Sequence, residues 1–199
     1  MTDELSDQFA GIAERGDAVA AMQVLVSYRV RLKRMVSIHL DRQLAARIDP
    51  SDVVQESLAE AVKRLPRYLQ EQPVALYPWL RKLTWERLLQ LRQHHFGSQK
   101  RTPAREVELE LNDESTMQLA ERLMAHGPSP SDNLIRRELR QRVHDALAQL
   151  TPADREILSM RYLEQLSVPE ATAVLGISND AFMKRHWRAM QRIRPLLDT

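Results

Sequence analysis

TPADREILSMRYLEQLSVPEATAVLGISNDAFMKRHWRAMQRIRPLLDT, residues Thr151–Thr199, decides the fold of this chain. Three helical patterns follow one another closely in it. Thr151-Pro152-Ala153-Asp154 opens the first as a capping box with proline at its first position. Ser167-Val168-Pro169-Glu170 opens the second in the same way. Gly176 supplies the conformational freedom of a tight turn, and Ser178 is placed to cap the third helix. This is the layout of a helix-turn-helix, whose second helix lies in the major groove of DNA.

The third helix has the faces that such a role needs. Phe182, His186, Ala189, Met190, Ile193 and Leu197 recur at three- and four-residue spacing and should face inward. Lys184, Arg188 and Arg192 recur every four residues on another face, with Arg185 beside them. From Asn179 to Arg194 there are five Lys/Arg and one acid, Asp180. Such cations can contact phosphates, and an arginine near the helix start can pair bidentately with guanine.

Working outward, the remaining chain is also helical in pattern. Phe9, Ile12 and Ala13 begin one run, and Ala18 to Leu40 continue it through Met22, Leu25, Val26, Leu32, Met35 and Val36. Asp49-Pro50-Ser51-Asp52 punctuates the chain and caps a new helix, with Val53, Val54, Leu58, Ala61, Val62 and Leu65 on one side. Pro66 and Pro73 bracket an expected loop holding Tyr68 and Leu69. Pro78 opens a long helix to about His95, and Gly97-Ser98 ends it. A run rich in acids follows (Glu106, Glu108, Glu110, Asp113, Glu114), with Pro103 and the GPSPSD turn at 127–132. A short amphipathic helix from about Asp113 to Met124 is expected within it, using Leu119, Leu123 and Met124. From Leu134 a helical pattern through Ile135, Leu139, Val143, Leu147 and Leu150 leads into the helix-turn-helix. No alternating run argues for strands. The fold class is therefore all-α: two small helical domains, 1–96 and 134–199, on a polar, acidic linker, 97–133.

The net charge of +2 conceals a pattern, with a mildly basic stretch on each side of an acidic middle. Residues 136–199 carry 11 basic and 8 acidic side chains. Such a surface is not a strong electrostatic DNA binder alone, which points to help from a partner. The chain has no cysteine, which excludes disulfides and thiolate metal sites and fits a reducing cytoplasm. The start, MTDELSDQF, shows no signal-peptide pattern, and no apolar run approaches the length of a membrane span. No HExxH spacing, Ser/His/Asp set or phosphate-cradling glycine loop is present, so no metal, cofactor or catalytic role is expected.

Three segments together carry a family resemblance. DPSDVVQESLAEAVKRL (Asp49–Leu65) resembles the helix with which bacterial sigma factors grip core RNA polymerase. PWLRKLTWERLLQLRQHH (Pro78–His95) resembles the helix that opens the promoter, and the tail from Leu147 resembles the promoter-binding C-terminal domain. Their order and spacing are similar to the extracytoplasmic-function (ECF) group of RNA polymerase sigma factors. The resemblance covers nearly the whole chain and is weakest in the linker.

It implies a cytoplasmic, non-enzymatic transcription initiation factor without membrane insertion. Core RNA polymerase and promoter DNA would be its partners, and an anti-sigma factor is compatible with it. Asp52, Gln55 and Glu56, at i, i+3 and i+4, would share the face that meets core polymerase. Tyr77, Arg81, Trp85 and Glu86 would form the surface for the single-stranded minus-10 element. Asn179, Lys184, Arg185, Trp187 and Arg188 would read the duplex minus-35 element.

Trp79 and Trp85 point about 120° apart on a helix of 3.6 residues per turn, so one narrow stripe cannot bury both. Trp79 reads as core. Trp85 reads either as a stacking surface for an unpaired base or as partly buried under the loop at 66–77. Glu86 stands where many relatives carry Asn, Thr172 where they prefer Ala, and Met183 where they are often basic. Trp187 can touch a thymine methyl or pack on its own domain. Two other readings stay open: a helix-turn-helix regulator acting on duplex DNA without being a polymerase subunit, and a helical adaptor with a degenerate motif.

Overall fold

The computed structural model describes residues 9, 12, 18–40, 42–71, 74–96, 113–123 and 133–197. The chain divides into two compact units, Met1–Ser37 with Gln43–Gln99, and Ile38–Arg42 with Lys100–Thr199. Among the described residues there is no strand, and no helix is long and apolar enough to cross a membrane.

The first unit uses α1 (Ala18–Ser27), α2 (Arg29–His39) as far as Ser37, α3 (Arg42–Ala45) from Gln43, α4 (Pro50–Glu71) and α5 (Leu76–Phe96). The long apolar run after Ala18 is two helices that break at Tyr28, not one. Leu25, Tyr28, Leu32, Met35 and Val36 are buried, whereas Met22 and Val26 of the same run are exposed. Asp49 caps α4 by accepting the Ser51 N–H at 2.6 Å. That backbone hydrogen bond, with the Ser51 side chain next in importance, holds the Asp49 carboxyl below its ordinary range.

α4 does not end before Pro66. It runs on to Glu71, with Pro66 inside it. Pro66 is exposed and forfeits one intrahelical bond. The turn beyond it is held by other means: Arg67 pairs with Glu71 at 2.8 Å, and buried Tyr68 donates its hydroxyl to the Val74 carbonyl at 2.8 Å. Tyr68 also stacks on Trp79, with ring centroids 4.3 Å apart; Trp79 is half-buried there rather than a full core residue. Tyr68 and Leu69 of the expected loop are therefore helical, and Pro73 lies outside the described residues.

The second unit contains α6 (Asp113–Leu123), α7 (Asn133–Gln149), α8 (Pro152–Leu158), a π-turn (Ser159–Leu163), α9 (Val168–Leu175) and α10 (Asn179–Leu197). Leu119, Val143, Leu147, Leu158, Leu163, Ala189 and Ile193 share one core. The amphipathic helix expected inside the linker exists, but it is no free tether. Leu119 is fully buried, Met117 and Leu123 pack against the core, and Arg122 Nη1 donates to the Tyr162 carbonyl at 2.5 Å. An apolar stripe of this kind must find a partner, and α7 and the π-turn provide it. Pro103, Glu106, Glu108, Glu110, Met124, the turn at 127–132 and the helix end at Gly97-Ser98 lie outside the described residues.

Leu119→Ala should lower the unfolding free energy of the full chain's second unit by about 2–5 kcal/mol, the range for truncating a buried leucine. Denaturant unfolding followed by far-UV circular dichroism would measure it. An unchanged midpoint would mean that α6 does not belong to this core.

Candidate nucleic-acid interface

The second unit sets α10 through a series of caps. Thr151 begins α8, accepting the Asp154 N–H on its hydroxyl at 3.2 Å. The reciprocal half of the expected capping box is absent because the Asp154 carboxylate is engaged elsewhere: buried, it takes a hydrogen bond from Arg192 Nη1 of α10. α8 passes into the π-turn, and Gln165 adopts a left-handed φ of 59°. Arg161 Nη1 donates to the Leu166 carbonyl at 2.6 Å across this bend.

α9 carries the complete box. The Glu170 N–H donates to Ser167 Oγ at 3.3 Å, and Glu170 Oε2 accepts the Ser167 N–H at 2.9 Å. Gly176 ends α9 at φ 64° and returns its N–H to the Thr172 carbonyl. That left-handed conformation strains any side-chain-bearing residue, which is why glycine belongs there. Ser178 then caps α10 by accepting the Ala181 N–H at 3.2 Å. The Thr172 hydroxyl lies 3.0 Å from the Pro169 carbonyl and 3.2 Å from Asn179 Oδ1. Its one hydrogen is shared between these two acceptors, a three-centre contact that joins its own helix to the first residue of α10. Ala171 and Thr172 are both buried.

The two faces of α10 separate as the spacing predicts. Phe182, Ala189, Met190 and Ile193 are buried. His186 lies between the rings of Tyr162 and Phe182, at centroid distances of 5.7 and 6.3 Å, with Nε2 3.2 Å from the Tyr162 hydroxyl. Asn179, Lys184, Arg185, Trp187 and Arg188 are all exposed. The cations are not equivalent. Arg192 is committed to Asp154, and Lys184 pairs with Asp180 at 2.7 Å. The second pair is exposed and weak, so a phosphate can displace it. Among the described residues, Arg185 and Arg188 form no ion pair and are the most available.

In the first unit, Asp52, Gln55 and Glu56 are exposed along α4, while Val53, Val54, Ser57 and Ala61 are buried behind them. Glu56 also faces α5, where Arg87 Nε donates to its Oε2 at 2.5 Å. Arg64 pairs with Glu60 at 2.8 Å and reaches Glu86 at 3.7 Å. Glu56 and Glu86, assigned to different surfaces by sequence, thus line one open groove of about 360 Å³ with Arg64, Arg87 and Gln90. The place of Arg87 beside Glu56 had no local signal, because the two are 31 residues apart.

The expected minus-10 surface needs a correction. Tyr77 is buried and stacked on Tyr28 at 5.7 Å, with the Arg31 guanidinium 3.7 Å from its ring centroid. Arg81 is buried as well, its guanidinium 5.9 Å from the Trp85 ring centroid. Neither side chain is open to a base in this conformation. Trp85 is half-buried, and Glu86 remains accessible beside Arg64.

The helix-turn-helix and the helical fold around it define a DNA-binding protein class. Comparison with known proteins narrows that class. Residues 140–193 match the family described as sigma-70, region 4. The RNA polymerase sigma factor CnrH of Cupriavidus metallidurans is 28% identical over 156 residues, covering 75% of this chain and 74% of CnrH. The probable RNA polymerase sigma factor RfaY of Xanthomonas campestris is 26% identical over 159 residues, covering 80% of this chain and 36% of RfaY. The RNA polymerase sigma factor FliA of Salmonella typhimurium is 33% identical over 69 residues, covering 35% of this chain and 29% of FliA. The chain thus spans about a third of the length of these FliA and RfaY relatives. The solved structure of CnrH in complex with the cytosolic domain of CnrY shares the fold, with a TM-score of 0.55, 22% identity, and coverage of 98% of this chain and 97% of that one. Residues 140–193 thus carry a sigma-70 region 4, and the chain as a whole is similar to RNA polymerase sigma factors.

Burial, with the Arg161 charge second, pushes the His186 pKa below its ordinary value of 6.5. The folded state then holds fewer protons than the unfolded one, so stability present above that value is lost as pH falls through it. The second unit should therefore be less stable at about pH 5.5 than at about pH 7.5, a window set by the ordinary histidine value. In His186→Phe, which keeps a ring in the stack, the loss should be smaller. Parallel pH dependences of the two proteins in denaturant unfolding would contradict this.

Proposed function

We propose that this chain is a sigma factor that works as a dissociable subunit of RNA polymerase, in the cytoplasm, without a catalytic step of its own. It binds the core enzyme through the exposed α4 face of Asp52, Gln55 and Glu56. It reads the upstream element as duplex through α10 and helps to open the downstream element through α5. The observation that carries this reading is the pairing, in one short chain, of a capped helix-turn-helix in region 4 with an amphipathic α4 that exposes Asp52, Gln55 and Glu56. A stand-alone regulator would leave that face unexplained. CnrH was solved with the cytosolic domain of CnrY, and a protein partner that holds this chain inactive fits the same reading.

The domain division follows from the same roles: 1–96 for polymerase and the opened strand, and 134–199 for the duplex. α6 belongs structurally to the second. The modest cationic reserve of α10 fits a protein that borrows affinity from the polymerase, since few phosphates can be neutralised by one helix face. Trp85, half-buried on α5, offers an aromatic ring for a base to stack on.

The direct test is whether the purified chain makes core polymerase start at a defined site on promoters selected from a random DNA pool. Random or absent initiation would refute the reading.

Two variants test the surfaces. Glu56→Arg should weaken core binding at least about ten-fold, as charge reversal at an interface does. Adding Arg87→Glu rebuilds the pair within the chain and should leave core binding impaired. Full recovery by the swap would make Glu56 a structural residue only. Trp85→Ala should slow open-complex formation roughly ten-fold, from the loss of one base stack. A promoter bubble pre-made by mismatches should restore the rate. Unchanged permanganate reactivity of the variant's thymines would remove Trp85 from strand opening.

A further inference from the structure

We infer that α10 recognises the upstream duplex partly through thymine 5-methyl groups, using Met183 and Trp187 as an apolar reading pair. This rests on the proposed role of α10 as the duplex reader and extends it to a class of sequence.

Met183 is 52% exposed and Trp187 63% exposed, although both are large and apolar. They are four residues apart, so they adjoin on one helix face. Their exposure is not forced by a crowded interior. The inward stripe of Phe182, Ala189, Met190 and Ile193 is already complete without them. The pair sits in the first half of α10, directly after the capped turn, where a recognition helix meets base edges. Lys184 and Arg188 immediately follow its two members in sequence, and this positive setting suits phosphate-rich DNA.

The polar readers on the same face are reduced. Lys184 is paired with Asp180, and Asn179 is tied to Thr172. Arg188, one turn beyond Lys184 and without an ion pair, is the donor on this face for guanine. Thymine is the base that offers an apolar group in the major groove, and contact with that methyl is how apolar side chains discriminate there. A flexible thioether beside a flat indole can cover one or two such methyls.

The test uses the full chain assembled with core polymerase. Duplexes are first selected from a random pool, and then each thymine of the upstream element is replaced in turn by deoxyuridine. This removes the methyl and preserves every hydrogen bond. At one or two positions the replacement should weaken binding about three- to five-fold, the size of one uncovered methyl group. Met183→Ala or Trp187→Ala should bind the thymine duplex more weakly by a similar factor and no longer respond to the replacement. Equal binding of thymine and deoxyuridine duplexes at every upstream position would overturn the inference. So would variants that weaken both duplexes equally, which would make the pair a contact for polymerase or for the DNA backbone. If the assembled protein selects no sequence at all, the sigma-factor reading fails first and the inference falls with it.

Discussion

The turn from Ser167 to Ala181 governs what the second unit can present to DNA. Each free backbone end in it is closed by a side chain or by a glycine conformation. Ser167 and Glu170 close the start of α9, Gly176 closes its end, and Ser178 closes the start of α10. The Thr172 hydroxyl then links the two helices directly through Asn179. A short polar link of this kind fixes an angle as well as a distance, because hydrogen bonds weaken steeply off axis. With the turn fixed, burial of Phe182, Ala189 and Ile193 leaves one orientation for α10, and its opposite face must point outward. The Asp154–Arg192 pair repeats the constraint further along α10, between elements far apart in sequence.

These constraints also divide the cations of α10 by task. A buried carboxylate needs a partner, and Arg192 fills that need at the cost of its availability to DNA. Arg185 and Arg188 keep their charge for a ligand, while Lys184 is held by an exposed pair that a stronger anion can replace. The formal count of five cations therefore overstates the field that DNA would meet. A helix with few free charges and two exposed apolar side chains depends on close fit and on help from another body.

The sequence made the caps and the inward stripe of α10 legible because both are local: a serine three residues before a glutamate, or an apolar residue every third or fourth position. It also marked Leu119 as one side of an amphipathic helix. The body against which Leu119 packs was hidden, because that depends on α7 and the π-turn many residues away. Pro66 misled for the converse reason. A local breaker signal was overridden by tertiary support at Tyr68 and by the Arg67–Glu71 pair. Tyr77 and Arg81 were placed on a DNA surface by resemblance alone. The burial of Tyr77 reflects Tyr28, in the break between α1 and α2, and Arg31 of α2, both distant in sequence. The Glu56–Arg87 pair and the left-handed Gln165 had no pattern that a linear reading can detect.

The absence of cysteine from the chain allows one direct test of the account's central claim, that α10 lies on upstream duplex while the chain is held by polymerase. Asp180→Cys places a single thiol at the exposed start of α10, to which a DNA-cleaving iron chelate can be attached. In complexes of the labelled chain with core polymerase on a selected promoter, the account predicts cuts confined to a few base pairs of the upstream element. Cuts spread evenly along the DNA, or confined to the opened downstream strand, would contradict it.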